Sequence, residues 1–144
     1  MHRPAFIVDD LDQARAAAAA TVELETAILL LTRADSAAAL GLHWSQELAN
    51  RLRREYSQAD LLVAFDCGDR AALAHEALRA GAEVICFTGP ENETRALAEI
   101  AANLGRVLIA SRPPAFDMGR ISPKRREAAA KAWLGNPPQQ RDVG

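Results

Sequence analysis

Small polar and charged residues recur directly behind short apolar runs. Asp9-Asp10 follows Phe6-Ile7-Val8, Thr32-Arg33 follows Ala27 to Leu31, and Asp66-Cys67-Gly68-Asp69 follows Leu61 to Phe65. Thr88-Gly89 follows Val84 to Phe87, and Ser111-Arg112 follows Val107 to Ala110. Ionised aspartates beside a helix N-terminus repel phosphate unless Arg33, Arg112 or a metal offsets them. A cation, an amine-bearing ligand or a magnesium-bridged phosphate is therefore easier to accommodate. The Asp66–Asp69 stretch holds one glycine where a phosphate loop or a dinucleotide fingerprint needs several.

Part of this polarity has a purely local use. Asp10 and Asp69 stand where helix N-caps are expected, and Asp10 three residues before Gln13 has the form of a capping box. Asp9 and Asp66 are left without a local task. Cys67 lies between Asp66 and Asp69, which favour the neutral thiol, and no histidine is near it in sequence to act as base. Both cysteines, Cys67 and Cys86, are expected as free thiols, and no Cys/His spacing fits zinc. His43 and His75 read as packing or helix-surface residues. The sequence designates no catalytic residue, no metal site and no cofactor.

The apolar runs alternate with helix-like stretches. An alanine-rich segment spans Leu11 to Leu24, and a stripe of Trp44, Leu48, Leu52 and Tyr56 lies within a helix over 44–58. Ala71 to Leu78 leads to a stop at Gly81, and Leu97 to Leu104 to one at Gly105. Strands alternating with helices imply right-handed crossovers and a parallel sheet. The expected fold is α/β, a three-layer sandwich around a five-stranded, mostly parallel sheet with a C-terminal helical extension. A flavodoxin-like order of 2-1-3-4-5 is preferred to a Rossmann-like 3-2-1-4-5.

In such a sheet ligands sit outside the carboxyl ends of the strands. That rim collects the candidate ligand-binding residues Asp9, Asp66, Gly68, Asp69, Thr88, Gly89, Ser111 and Arg112, with Asp9 and Asp66 flanking a crevice between the first and third strands. The preferred order also makes the wholly apolar second strand an edge. An edge of that kind needs a cover, either the C-terminal segment or a second copy in a homo-oligomer.

The chain has 144 residues and a net charge of -2. It divides into an α/β domain over 1–116 and a basic extension over 117–144, with a helix at about 123–134 and a disordered end. The extension carries +3 and the body -5. No field of the whole molecule gathers nucleic acid, and Lys124, Arg125 and Arg126 have no aromatic platform beside them, which argues against nucleic acid as a partner. No apolar run is long enough to span a membrane, and the N-terminus enters a strand without a secretory signal, so a cytoplasmic location is expected.

The order Asp9-Asp10, Asp66, Thr88 and Arg112-Pro113 resembles the landmarks of response-regulator receiver domains. That resemblance implies Asp66 as phosphoryl acceptor, Asp9 and Asp10 as magnesium ligands and Thr88 as the switch hydroxyl. The sequence departs from the pattern with Arg112 in place of lysine and with spacings too short between Asp66 and Thr88 and too long between Thr32 and Asp60. The stretch Asp60 to Gly89 also looks like the strand-loop-helix-strand unit of sugar isomerase domains, with an acidic loop in place of a Ser/Thr-rich one. The functional expectation is a non-catalytic ligand-binding or regulatory domain for a small molecule. Receiver-like phosphoacceptance at Asp66 and an assembly or protein-interaction module are the alternatives.

Overall fold

The structure, a computed structural model, describes residues 3–136, and for 34–40 the backbone only. Its elements are β1 (Ala5–Val8), α1 (Leu11–Leu24), β2 (Ile28–Thr32), α2 (Ala34–Glu55), β3 (Leu61–Gly68) and α3 (Ala71–Arg79), then β4 (Val84–Phe87), α4 (Glu91–Asn103), β5 (Val107–Ile109), β6 (Ala115–Asp117) and α5 (Arg126–Gly135). The helix expected over 44–58 begins ten residues earlier. It joins an N-terminal piece through Gly41, whose φ of 81° and ψ of 171° break the helical path. A positive φ of this kind costs glycine nothing.

All strands pair in parallel, in the order β5-β4-β3-β2-β1-β6. This corrects the expected order, since neither 2-1-3-4-5 nor 3-2-1-4-5 is present. The sixth strand, Ala115–Asp117, escapes the sequence because three residues behind Pro113-Pro114 show no periodicity. Strand β2 is central, buried at all five positions, so its apolar run needs no partner subunit. The sheet's actual edges, β5 and β6, are three residues long each, which limits edge-to-edge pairing.

The three-layer expectation is also corrected. Successive right-handed crossovers that always step in one direction place every helix on one face. Phe6, Val8, Ile28, Leu30, Leu61 and Val63 pack with α1, α2 and α5, while Phe65, Cys67, Ile85 and Phe87 pack with α3 and α4. The alternate strand positions, Ala5, Leu29, Leu31, Ala64, Val84 and Cys86, cluster only with other strand residues, Ile7, Leu62, Ile109 and Ala115 among them. These six are nonetheless almost completely buried. The second face is covered by the sheet's own curvature.

The connection from β5 to β6 requires the same curvature. Six strands laid flat at ~4.8 Å put their outer members about 24 Å apart. The chain from Ile109 to Ala115 reaches at most about 21 Å when fully extended. Since β6 is parallel to β5, part of that reach returns the chain to the start of the sheet. The sheet therefore curls, and residues 110–114 cross its open side.

A division of the chain at residue 117 falls inside β6, which pairs with β1 in parallel. Helix α5 lies along α1, with Ala130 and Leu134 buried in the same cluster as Ala14, Ala17 and Ala18. The thin alanine surface of α1 allows that approach. Phe116 and Trp133 stack with ring centroids 5.5 Å apart, joining β6 to α5. The disordered end expected beyond Asn136 lies outside the described residues. Among the described residues no helix is long and apolar enough to cross a membrane.

The observed order has a measurable consequence. Leu30→Ala, at the centre of the sheet, is expected to cost about 2–5 kcal/mol in urea unfolding. Leu108→Ala in edge strand β5 is expected to cost clearly less. Equal losses would contradict the placement of β2.

Candidate functional site

The carboxyl end of β3 is built around a buried aspartate. The side chain of Asp66 is 2% exposed and lies on the face away from the helices. Its Oδ1 accepts the Gly68 backbone N–H at 2.9 Å, and its Oδ2 accepts Arg112 Nε at 2.7 Å. Its own N–H donates to Thr32 Oγ1. Register with β4 slips between Asp66 and Gly68, where Gly68 has a φ of +57°. That bulge turns the strand so that the Gly68 carbonyl accepts the Thr88 N–H at 2.7 Å.

A second group lies at the ends of β1, β2 and β6. Arg33 lays its fork on Asp9, Nε to Oδ1 at 3.0 Å and one terminal nitrogen to Oδ2 at 3.1 Å. The same nitrogen donates to Asp117 Oδ1 at 2.7 Å. Arg120 Nε lies 3.4 Å from Asp117 Oδ2. These hydrogen bonds, the one to Asp9 first and the one to Asp117 second, raise the Arg33 pKa and keep it charged. Gly119 passes directly over the group, and a Cβ there would sit 2.7 Å from Asp9 Oδ2.

Of the sequence-derived candidates, Asp66 and Arg112 meet directly, and Gly68 and Thr88 meet through the backbone. Asp9 lies on the same rim but is separated from Asp66 by β2, so the two do not flank one crevice between neighbouring strands. Two strand spacings place their backbones about 10 Å apart. Gly89 lies so close to the Phe87 ring that a Cβ would approach it to 2.3 Å. Ser111 is exposed at the start of the crossover. Asp69 is exposed, and the N-cap of α3 falls on Arg70 without a side-chain bond, which corrects the capping role expected of Asp69. Asp10 does cap α1, accepting the Gln13 N–H at 2.8 Å, while Gln13 Oε1 accepts the Asp9 N–H at 2.9 Å.

Sequence reading missed Asp117, Gly119 and Arg120 as rim residues. A signal was present, because Phe116-Asp117 repeats Phe65-Asp66: an aromatic residue facing the helices, then an aspartate facing the concave side. Among the described residues, no group of three or more His, Cys, Asp or Glu is placed to hold a metal. A cleft of about 430 Å³ opens at the opposite end of the strands, lined by Thr21, Glu25, Thr26, Gln58 and Asp60 among others.

Both cysteines are free and buried. Burial first, and the Asp66 charge second, push each thiol up to about 12. Neither is a thiolate near neutral pH, so neither is a poised nucleophile.

No known protein family and no curated protein matches the chain. A solved structure described as "a putative fructose-1,6-biphosphate aldolase from Coccidioides immitis", TIM-barrel-like in fold, superposes on 89% of this chain with a TM-score of 0.64 and 14% identity. The chain spans about half of that structure, 52% of its length. At this identity the likeness is one of fold.

Two outcomes follow from the geometry. Arg112→Met leaves a buried carboxylate without its cation and is expected to destabilise more than Asp66→Asn, by about 1–3 kcal/mol in chemical unfolding. The opposite ranking would show that Asp66 does not depend on Arg112. The thiols are expected to resist iodoacetamide at pH 8 in the folded protein and to react once it is unfolded. Their raised folded pKa contributes stability that is complete below pH 9, the ordinary thiol value, and lost as pH climbs toward about 12.

Proposed function

We propose that this chain is a non-catalytic ligand-binding or regulatory domain whose ligand docks at the carboxyl-end mouth of the curved sheet. One observation carries the reading: charged side chains from β1, β3, β6, the end of β2 and the crossover converge there in two groups tied to the sheet. Those side chains are Asp9, Asp66, Asp117, Arg33 and Arg112. Parallel sheets, open or closed into barrels, bind ligands at that end. Groups already fixed by one another recognise a ligand with little ordering cost.

Several features favour binding over chemistry. The thiols are protonated, the mouth aspartates are engaged by arginines, and His43 and His75 lie on α2 and α3 rather than on the rim. The receiver-like alternative needs an accessible Asp66 beside a metal-holding acidic pair. Here Asp66 is buried against Arg112, Asp10 is committed to its helix cap, and Asp9 is held by Arg33.

A thermal-shift screen with amines, divalent cations, nucleotides, carboxylates and phosphorylated sugars tests the reading. The last class is included because the solved neighbour is named for one. A ligand at 100 times its Kd adds about 2.7 kcal/mol, a shift of several degrees for a domain of this size. The expected result is stabilisation by one class, altered in size in Asp117→Asn. A flat screen, or a shift unchanged in that variant, would refute binding at the mouth. Incubation with a small phosphodonor and magnesium is expected to leave the mass unchanged.

A further inference from the structure

We infer that the ligand of the mouth is a small oxyanion, a phosphate ester or a polycarboxylate, gripped on the β6 side by Arg33, Arg120 and the basic segment that follows. The inference rests on reading the mouth as the ligand site. It reverses the preference for cations that the aspartates alone imply.

The first observation is the orientation of the ion pairs. Arg112 is 49% exposed and its partner Asp66 2%. Arg33 is 38% exposed against 30% for Asp9 and 17% for Asp117, and Arg120 is 85% exposed. In every pair the carboxylate lies deeper than the guanidinium. An approaching molecule meets arginine first, held in place from behind by an aspartate. A guanidinium so positioned presents planar donors to carboxylate or phosphate oxygens with little further ordering.

The second observation is the chain that leaves β6. Residues 120–126 carry Arg120, Lys124, Arg125 and Arg126 and no acid. They lie in or beside two short 3-10 turns, Met118–Arg120 and Pro123–Arg125, the first packed against β1. Arg126 is directed to the Ile121 carbonyl, while Lys124 and Arg125 are exposed. Of the acids described nearby, Asp10 caps α1, Glu127 lies 3.6 Å from Lys131 on α5, Asp9 and Asp117 are shared with Arg33, and Asp12 stands exposed in the first turn of α1. Asp69 stands at the end of β3, beyond β2. Arg33 and Arg120 thus lie over Asp9 and Asp117, and the segment that continues from Arg120 adds Lys124, Arg125 and Arg126 close behind in the chain, a local excess of cations that favours a small anion at low ionic strength.

Isothermal titration calorimetry at low salt tests this, with inorganic phosphate, fructose 1,6-bisphosphate and citrate set against spermidine and magnesium chloride. The comparison protein carries Arg120→Gln, Lys124→Gln and Arg125→Gln together, three exposed positions whose change is expected to leave the Tm without ligand unaltered. Binding of at least one anion, weakened about tenfold or more in the triple variant, is the expected result. The two phosphate probes against citrate separate phosphate from carboxylate recognition. Anion binding of equal strength in the variant would overturn the inference. If spermidine or magnesium alone binds, and Asp117→Asn abolishes it, the mouth remains a ligand site and the oxyanion assignment falls. If no probe of either sign binds, the mouth reading fails and takes this inference with it.

Discussion

The fold depends on how the concave face of the sheet is closed. Among the described residues no helix covers that side, yet its residues are as dry as those under the helices. Curvature alone leaves an opening between β5 and β6, and residues 110–114 cross it. The contact that pins this crossover is Arg112 on Asp66. A lone carboxylate as buried as Asp66 would cost several kcal/mol in lost hydration. Arg112 and the Gly68 N–H offset that cost together, so the crossover cannot lift without stranding a charge. The same pair therefore closes the core and places a guanidinium at the mouth.

The second group follows the same logic on the other flank. Strand β6 is three residues long, too short to hold its place by backbone pairing alone. It is fixed on one side by Phe116 against Phe6 and Trp133, and on the other by Asp117 on Arg33. Arg33 in turn spans Asp9 and Asp117 across the β1–β6 boundary, so one side chain stitches three strand ends. Gly119 completes the arrangement because only hydrogen fits between its backbone and Asp9. Structure and candidate site are thus made of the same residues, which explains why so many of the rim aspartates are not free for chemistry.

Much of this was legible in the sequence because it is local. Strand β1, helix α1 with its Asp10–Gln13 cap, and strand β4 fall where apolar runs and caps place them. Asp9 and Asp66 lie at the carboxyl ends of their strands because βα connections emerge at one end of a parallel sheet, and Arg112 reaches Asp66 from the crossover. Strand order was not legible, because it is decided by pairing between distant segments. An apolar run such as Ile28 to Leu31 reads the same whether helices cover both faces or the sheet curls upon itself. One non-local clue was available: five residues between the fifth and sixth strands cannot span a flat six-stranded sheet. Using it required recognising Ala115–Asp117 as a strand, and three residues behind two prolines carry no periodic signal.

The direction in which a charge pair faces was equally beyond the sequence, and the proposed ligand class rests on it. Counting residues at the rim gives aspartates the majority, which favours a cation. Depth changes that balance. A carboxylate two per cent exposed contributes little field to solvent once a guanidinium covers it, whereas that guanidinium is half exposed. The alternation of strand side chains places Asp66 and Asp117 on the concave face, and Asp9 follows directly on the end of β1, each behind an arginine. The arginines reach over them from the end of β2, from the crossover and from the turn after β6, all of which lie nearer the surface. On the proposed reading, ligand preference at this mouth follows from which charges lie deep at the strand ends and which reach over them from the connections.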